Sequence, residues 1–347
     1  MKAAFLIKEG FVLENIPDPV LEGDGVILKV EACGVCGSDL RAWRYRKNIS
    51  KRIIRGHEVA GIVVEKRGNV PYEIGTKLAL GADINCLECP YCRRGEYNLC
   101  INKKILGNDV PGGFAQYMVL DKHVIEHGII NEMPESMDFS EGAFAEPLSS
   151  VVALNRRFRI GLGDVVVIFG SGPMGCLNAN VSLISGATVI LADISQQRLE
   201  IAKGILGTSV VYVNNAKEDL KEIVMELTGG QGADFAIIAA PSLAAQKQSI
   251  HLLKRGGTTI FFGGLPHDAS ETSLNANLIH YYEITVTGSF SYNPWDHKLA
   301  LKLLSQKKID ARKYIKEFPL EKISDVFEEL SEGKNKDYLK AIIKPWR

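Results

Sequence analysis

The chain has 347 residues, a formal net charge of zero and 46% apolar side chains. That length exceeds a single hydrophobic core and predicts two domains. The neutral balance gives no electrostatic footprint for nucleic acid or an anionic membrane, and no uninterrupted apolar stretch approaches the roughly 18 residues of a membrane span.

Met1-Lys2 leads directly into a strand-like run over 3–7, with no apolar signal region or small-residue cleavage site, so a cytoplasmic protein is expected. From there to about Gly81 the pattern is mostly strand and turn, with strands over 26–32 and 58–66. Two glycine-flanked motifs sit at strand edges: Gly34-Val35-Cys36-Gly37-Ser38-Asp39 and Gly56-His57-Glu58-Val59-Ala60-Gly61. Cys36 as thiolate and His57 as neutral imidazole are what a catalytic zinc takes, beside a third protein ligand and an open position. Glu58 and Glu146, the latter in Phe144-Ala145-Glu146-Pro147-Leu148, are the candidates for that third place. A lone cysteine or histidine is more often buried filler than ligand. Cys33 also forms a C-x-x-C with Cys36, but no thioredoxin-like context surrounds the pair.

The most basic run of the chain lies between these motifs: Arg41-Ala42-Trp43-Arg44-Tyr45-Arg46-Lys47, continuing to Lys51, Arg52 and Arg55. A charge run is usually a solvated face. Its position between two ligand motifs supports a sharper reading, in which Arg41 and Arg44 grip a substrate carboxylate or phosphate by bidentate pairing.

Seven cysteines, mostly in one cluster, argue for metal rather than a disulfide framework. Cys86, Cys89, Cys92 and Cys100 follow one another at short spacing in a loop that also carries Pro90 and Gly95. Four thiolates close a tetrahedral zinc site and leave no place for water or substrate, which makes such a site structural. Iron–sulfur ligation and a redox-labile surface loop are the alternatives.

A helix is expected over 151–159. Val165 to Phe169 then form a near-continuous apolar run, as in a strand buried on both faces of a parallel sheet. It ends in Gly170-Ser171-Gly172-Pro173-Met174-Gly175, and an apolar helix follows up to Gly186. Strand, glycine turn and helix form the context in which G-x-G-x-x-G binds a dinucleotide. The turn then needs Gly170, the pyrophosphate approaches Gly172, close packing needs Gly175, and the phosphates sit at the helix N-terminus. A second strand over 188–192 ends in Asp193, where the ribose-binding acid belongs, which favours NAD over NADP. Arg198, just beyond, joins Pro173 and Met174 among the cofactor-binding candidates. Ser195 caps a helix to Leu206, and strands over 210–213, 234–240, 258–263 and 284–288 alternate with helices over 217–228 and 242–254. His251, His267, His280 and His297 have no ligand-like neighbours in sequence. A helix over 295–306 opens the tail to Arg347.

Taken together, these motifs make the chain resemble the zinc-containing medium-chain dehydrogenases, the alcohol, sorbitol and threonine dehydrogenase family. The likeness covers nearly the whole chain: C-G-S-D-L, G-H-E-x-x-G, the four-cysteine loop, A-E-P-L-S, the glycine hexad and Asp193. It implies an α/β fold with a GroES-like, mostly-β catalytic domain over 1–152, a doubly wound Rossmann domain over 153–294, and a return to the first domain over 295–347. Cys36 and His57 match catalytic zinc ligands, Glu58 or Glu146 a glutamate on zinc or its water, and Ser38 the hydroxyl that passes the alcohol proton outward. Many relatives carry histidine three residues after that hydroxyl, where this chain has Arg41.

The resemblance implies a zinc-dependent oxidoreductase that moves hydride between NAD and a secondary alcohol, with two zinc ions per subunit and a dimeric or tetrameric assembly. A polyol or sugar-derived substrate is expected, with a sugar acid or sugar phosphate as a variant. Threonine is the alternative, and a non-catalytic NAD-binding regulatory module is the rival from another class.

Overall fold

A computed structural model describes residues 1–48, 51–266 and 270–347, and it divides into two units: Met1–Ser150 with Tyr292–Arg347, and Val151–Ser291. The first unit begins with β1 (Lys2–Ile7), β2 (Gly10–Asn15) and β3 (Gly25–Gly34), followed by α1 (Gly37–Arg44). That helix departs from the strand-and-turn pattern expected there. Leu40 and Trp43 pack its inner face on the hydrophobic core, and Asp39 in its first turn accepts from the Cys36 N–H at 3.3 Å.

The chain continues through β4 (Ile53–Ile54), β5 (Glu58–Arg67), β6 (Lys77–Ile84), α2 (Pro90–Arg93), β7 (Lys104–Ile105), β8 (Tyr117–Asp121), α3 (Lys122–His127) and β9 (Gly128–Glu132). After α4 (Phe139–Ala143), α5 spans Ala145–Phe158. It starts well before the expected Val151, which brings Glu146 into its first turn.

The second unit alternates strand and helix: β10 (Val165–Phe169), α6 (Pro173–Ile184), β11 (Thr188–Asp193), α7 (Gln196–Leu206), β12 (Val210–Asn214), α8 (Leu220–Leu227), β13 (Ala233–Ile238), α9 (Leu243–Ser249), β14 (Leu253–Phe261), α10 (Ala276–Tyr282) and β15 (Thr285–Gly288). All pairs are parallel, in the order β12-β11-β10-β13-β14-β15. This is the doubly wound sheet expected of a dinucleotide-binding domain, with its reversal at β10. Val167, Ile190, Val213, Ala236 and Ile238 build its core.

Two further helix boundaries, both in the second unit, differ from the sequence reading by three residues or more. Helix α8 begins at Leu220 rather than Lys217, because Asp219 caps it by accepting from the N–H groups of Lys221 and Glu222. Helix α9 ends at Ser249 rather than Lys254. Leu253 already pairs with Ala233 of β13, so sheet pairing overrides the helical pattern there.

The chain then returns to the first unit through α11 (Pro294–Ser305), β16 (Ile315–Pro319), α12 (Ile323–Ser331) and β17 (Lys340–Lys344). Strands β2-β1-β4 form a small sheet. Strands β16-β17-β3-β5-β6-β7 run through a larger one, with β8 on β3 and β9 on β6. Two antiparallel registers set up the site: Gly34 pairs with Glu58, and Ile342 pairs with Gly34. They bring the exit of β3, the entry of β5 and the start of β17 to one edge. None of the described helices is long and apolar enough to cross a membrane.

Candidate functional site

Cys36 follows β3 as the N-cap of α1, His57 lies just before β5, and Glu58 is the first residue of β5. Their ligand-capable atoms lie within 4.8 Å of one another. His57 and Glu58 are buried. Glu58 Oε1 accepts from Lys340 Nζ at the start of β17, while Oε2 is buried with no hydrogen-bond partner among the described residues. A buried carboxylate oxygen left unpaired is costly unless a cation completes it. Thiolate, imidazole and carboxylate are the donor set that zinc selects, so these residues fit that ion. Gly34 makes room for them, since a Cβ at that position would overlap Glu58 Oε2.

Glu146 stands outside the three-residue convergence. Its Oε1 accepts from the Tyr292 hydroxyl at 2.7 Å, and the same hydroxyl accepts from the Ala82 N–H at 2.8 Å. Burial pushes the Glu146 carboxyl up to about 7, against the pull of His57. Burial opposes protonation of His57, but Cys36 and Asp39 outweigh it and lift its pKa well above the ordinary value. A cation among these atoms reverses that balance, because a ligating imidazole is neutral. Asp39 is fully buried, with Oδ2 3.8 Å from His57 Nδ1 and Oδ1 accepting from Arg55 Nε at 3.3 Å. At 3.8 Å the carboxylate acts on the ring through its charge rather than through a hydrogen bond.

Asp39, Tyr292 and Lys340 were not singled out from the sequence. Asp39 lies within the Cys36 motif, three residues on. The other two have no local signal, because tertiary pairing alone brings them in. Ser38 sits in the first turn of α1 and is exposed, as are Arg41 and Arg44.

The four-cysteine loop closes on itself. Cys86, Cys89, Cys92 and Cys100 place their sulfurs within 4.8 Å of one another, with Cys100 Sγ 3.5 Å and Cys92 Sγ 4.0 Å from Cys86 Sγ. Two sulfurs bound to one tetrahedral zinc lie roughly 3.8 Å apart, so this spacing fits the ion. Backbone N–H groups of Cys86 and Cys89 point at neighbouring sulfurs at 3.4 Å, and that of Cys92 at 3.5 Å. The Cys92 N–H draws the Cys89 thiol down to about 6, while burial pushes Cys92 up to about 12. Cys33 is fully buried and remains a free thiol, like every cysteine of the chain.

In the second unit, Gly170 takes φ +98° at the end of β10, and a Cβ at Gly175 would overlap the Gly170 carbonyl oxygen. A Cβ at Gly172 would meet nothing within 4 Å, so the space before the α6 N-terminus is open to a ligand. Pro173 is the first residue of α6, and Met174 the second. Asp193 Oδ2 accepts from the Ser171 N–H at 2.7 Å and its hydroxyl at 2.9 Å, and Oδ1 accepts from the Ser195 N–H at 2.9 Å. The acid is thus locked against the glycine turn at the end of β11. Arg198 is exposed on α7.

His251 and His280 are exposed, and His267 lies outside the described residues. His297 is fully buried, its Nδ1 2.9 Å from Asn131 Nδ2.

Residues 22–129 match the model of the alcohol dehydrogenase GroES-like domain, and residues 173–306 that of the zinc-binding dehydrogenases. A sorbitol dehydrogenase of Halalkalibacterium halodurans is 34% identical, over 90% of this chain and 90% of that protein. A D-arabitol-phosphate dehydrogenase of Enterococcus avium is 32% identical, over 91% of this chain and 89% of the relative. Among solved structures, a putative zinc-binding dehydrogenase from Sinorhizobium meliloti bound to NADP superposes with a TM-score of 0.89 at 29% identity, covering 99% of both chains. The chain belongs to the zinc-containing medium-chain dehydrogenase family. It is an oxidoreductase of the zinc- and NAD(P)-dependent kind that acts on a small molecule.

Proposed function

We infer that the protein oxidises a secondary alcohol of a polyol or sugar-derived substrate with NAD, or runs the reverse reduction. The convergence of Cys36, His57 and Glu58 carries this reading. Relatives named sorbitol dehydrogenase, D-arabitol-phosphate dehydrogenase and D-xylulose reductase support the substrate class over threonine.

Cys36, His57 and Glu58 would hold the catalytic zinc, and the four cysteines a second, structural one. Bound there, zinc would supply a Lewis acid that lowers the pKa of the carbinol oxygen, and NAD would supply the hydride acceptor for oxidation of the alcohol to a ketone. Ser38 would accept the hydroxyl proton at its Oγ as it passes its own to water, since Arg41 stands where many relatives carry a histidine. The Asp39 carboxylate faces the His57 ring, Lys340 neutralises one oxygen of Glu58, and Tyr292 holds Glu146 by a hydrogen bond. Gly170, Gly172, Pro173, Met174 and Gly175 would cradle the pyrophosphate, with Arg198 among the cofactor-binding candidates. Asp193 would accept from the ribose hydroxyls and repel a 2′-phosphate, which favours NAD. Residues 1–150 and 292–347 would supply the metal chemistry, and residues 151–291 the cofactor site.

A cytoplasmic location is part of this reading, because both ligand sets need their thiols reduced. So is a dimer or tetramer, built through β15, the last strand of its sheet among the described residues. The test is an NADH-forming screen over polyols, aldonates, sugar phosphates and threonine, run with zinc analysis. Turnover of a polyol or its derivative at about two zinc ions per chain is expected. Activity on threonine alone, or none with one zinc, contradicts the reading.

A further inference from the structure

We propose that Arg41 and Arg44 form a subsite for a phosphate monoester at the far end of the substrate, so that the physiological alcohol is a phosphorylated polyol. This rests on the polyol reading above.

Helix α1 starts at the metal-facing Cys36 and is held in one rotation. Trp43 stacks on Phe11 with ring centroids 5.6 Å apart and meets Phe327 at 5.8 Å, Leu40 packs on the same core, and Asp39 is fully buried. Ser38, Arg41 and Arg44, spaced by three residues, form the opposite, exposed stripe. The stripe therefore runs outward from the proton-accepting hydroxyl. Arg41 lies about 7.5 Å of helix rise from Cys36, the scale of a five- or six-carbon chain.

Other arginines of the basic run are committed. Arg46 donates to the Trp43 carbonyl at 2.8 Å and lies 4.3 Å over its ring. Arg52 pairs with Glu14, and Arg55 with Asp39 and Asn108. Arg41 and Arg44 have no ion-pair or hydrogen-bond partner for their guanidinium groups among the described residues. The sole acid on their helix, Asp39, is buried and already engaged by Arg55 and the Cys36 N–H. Two adjacent, unneutralised guanidinium groups repel each other and are matched by a dianion that each can grip in bidentate fashion.

The test uses zinc-loaded enzyme with NAD and matched pairs: sorbitol and sorbitol 6-phosphate, arabitol and arabitol 5-phosphate, with gluconate as a carboxylate arm. The quantity read is the ratio of kcat/KM for the ester to that for its neutral parent. Wild type should favour an ester, and Arg41→Ala and Arg44→Ala should each cut that ratio about 10- to 100-fold, with Arg41→Lys in between. An unchanged ratio in both alanine variants overturns the subsite. So does a wild type without ester preference, or an effect confined to gluconate. If no alcohol is oxidised, the polyol reading fails. Calorimetric binding of sorbitol 6-phosphate to wild type and Arg41→Ala then decides the subsite by itself, equal affinities counting against it.

Discussion

Lys340 and Glu58 are separated by 282 positions and form a buried ion pair, with Lys340 Nζ donating to Glu58 Oε1 while Oε2 of the same carboxylate has no hydrogen-bond partner among the described residues. One oxygen is thereby neutralised by the chain itself, and the other is the one that the proposed zinc would complete. Lys340→Met strands a buried carboxylate and should cost about 3–5 kcal/mol of stability. Adding Glu58→Gln should restore part of that loss. Urea unfolding of the single and double variants measures both, and a single variant as stable as wild type would remove the pair from the account.

Cys36→Ser should lower zinc from about two ions per chain to about one and abolish nearly all turnover, while the chain still folds, with a melting temperature lowered by loss of the cation that completes Glu58. Metal analysis and calorimetry on one sample check this. Full activity would show that the thiol is no ligand.

Cys92→Ser opens the four-thiolate set and should loosen the loop that it staples. Limited proteolysis should then cut within residues 86–105 at least 10-fold faster than in wild type. An unchanged cleavage pattern would mean that the loop is held by packing instead.

These two sites differed in how far they could be read in advance. The cysteines at 86, 89, 92 and 100 supply all their own ligands within one loop, and Gly170 to Asp193 is one continuous strand–turn–helix–strand unit. Local chemistry decides both. Cys36 and His57 were readable as donors, but their meeting depends on the pairing of Gly34 with Glu58. Lys340 and Tyr292 enter only through the β17 register and the returning chain, which no local pattern reports. Helix α1 leaves little trace in the sequence, because only Leu40 and Trp43 mark its inner face within a basic run. Helix α9 reads longer in the sequence than it is, because Leu252 and Leu253 continue its apolar period while Leu253 pairs with β13 as a strand residue.

Burial lowers the pKa of His297 from its ordinary 6.5 to about 4. Between those values the unfolded chain takes up a proton that the folded chain refuses, so stability falls as pH drops from about 6.5 to 4. The cost is at most about 1.4 kcal/mol per pH unit. His297→Gln should remove this component. The urea midpoints of the two proteins at pH 7.5 and pH 5 test it, and equal acid sensitivity would contradict it.

Asp193→Ala should raise KM for NAD about 10-fold and shift the NAD-to-NADP ratio of kcat/KM toward NADP by 10-fold or more. Part of the first effect comes from releasing Ser171 and Ser195, whose N–H groups Asp193 binds. The cofactor ratio isolates the repulsion of a 2′-phosphate. An unmoved ratio would leave Asp193 a turn-holding residue only.

The metal set at the meeting of β3 and β5 is tested most directly by diffraction at the zinc absorption edge on crystals grown without chelator. An anomalous peak bounded by Cys36, His57 and Glu58 is expected, separate from a second among the four cysteines. A map with density at the cysteine loop alone, even after zinc soaking, would contradict a catalytic metal and the chemistry built on it.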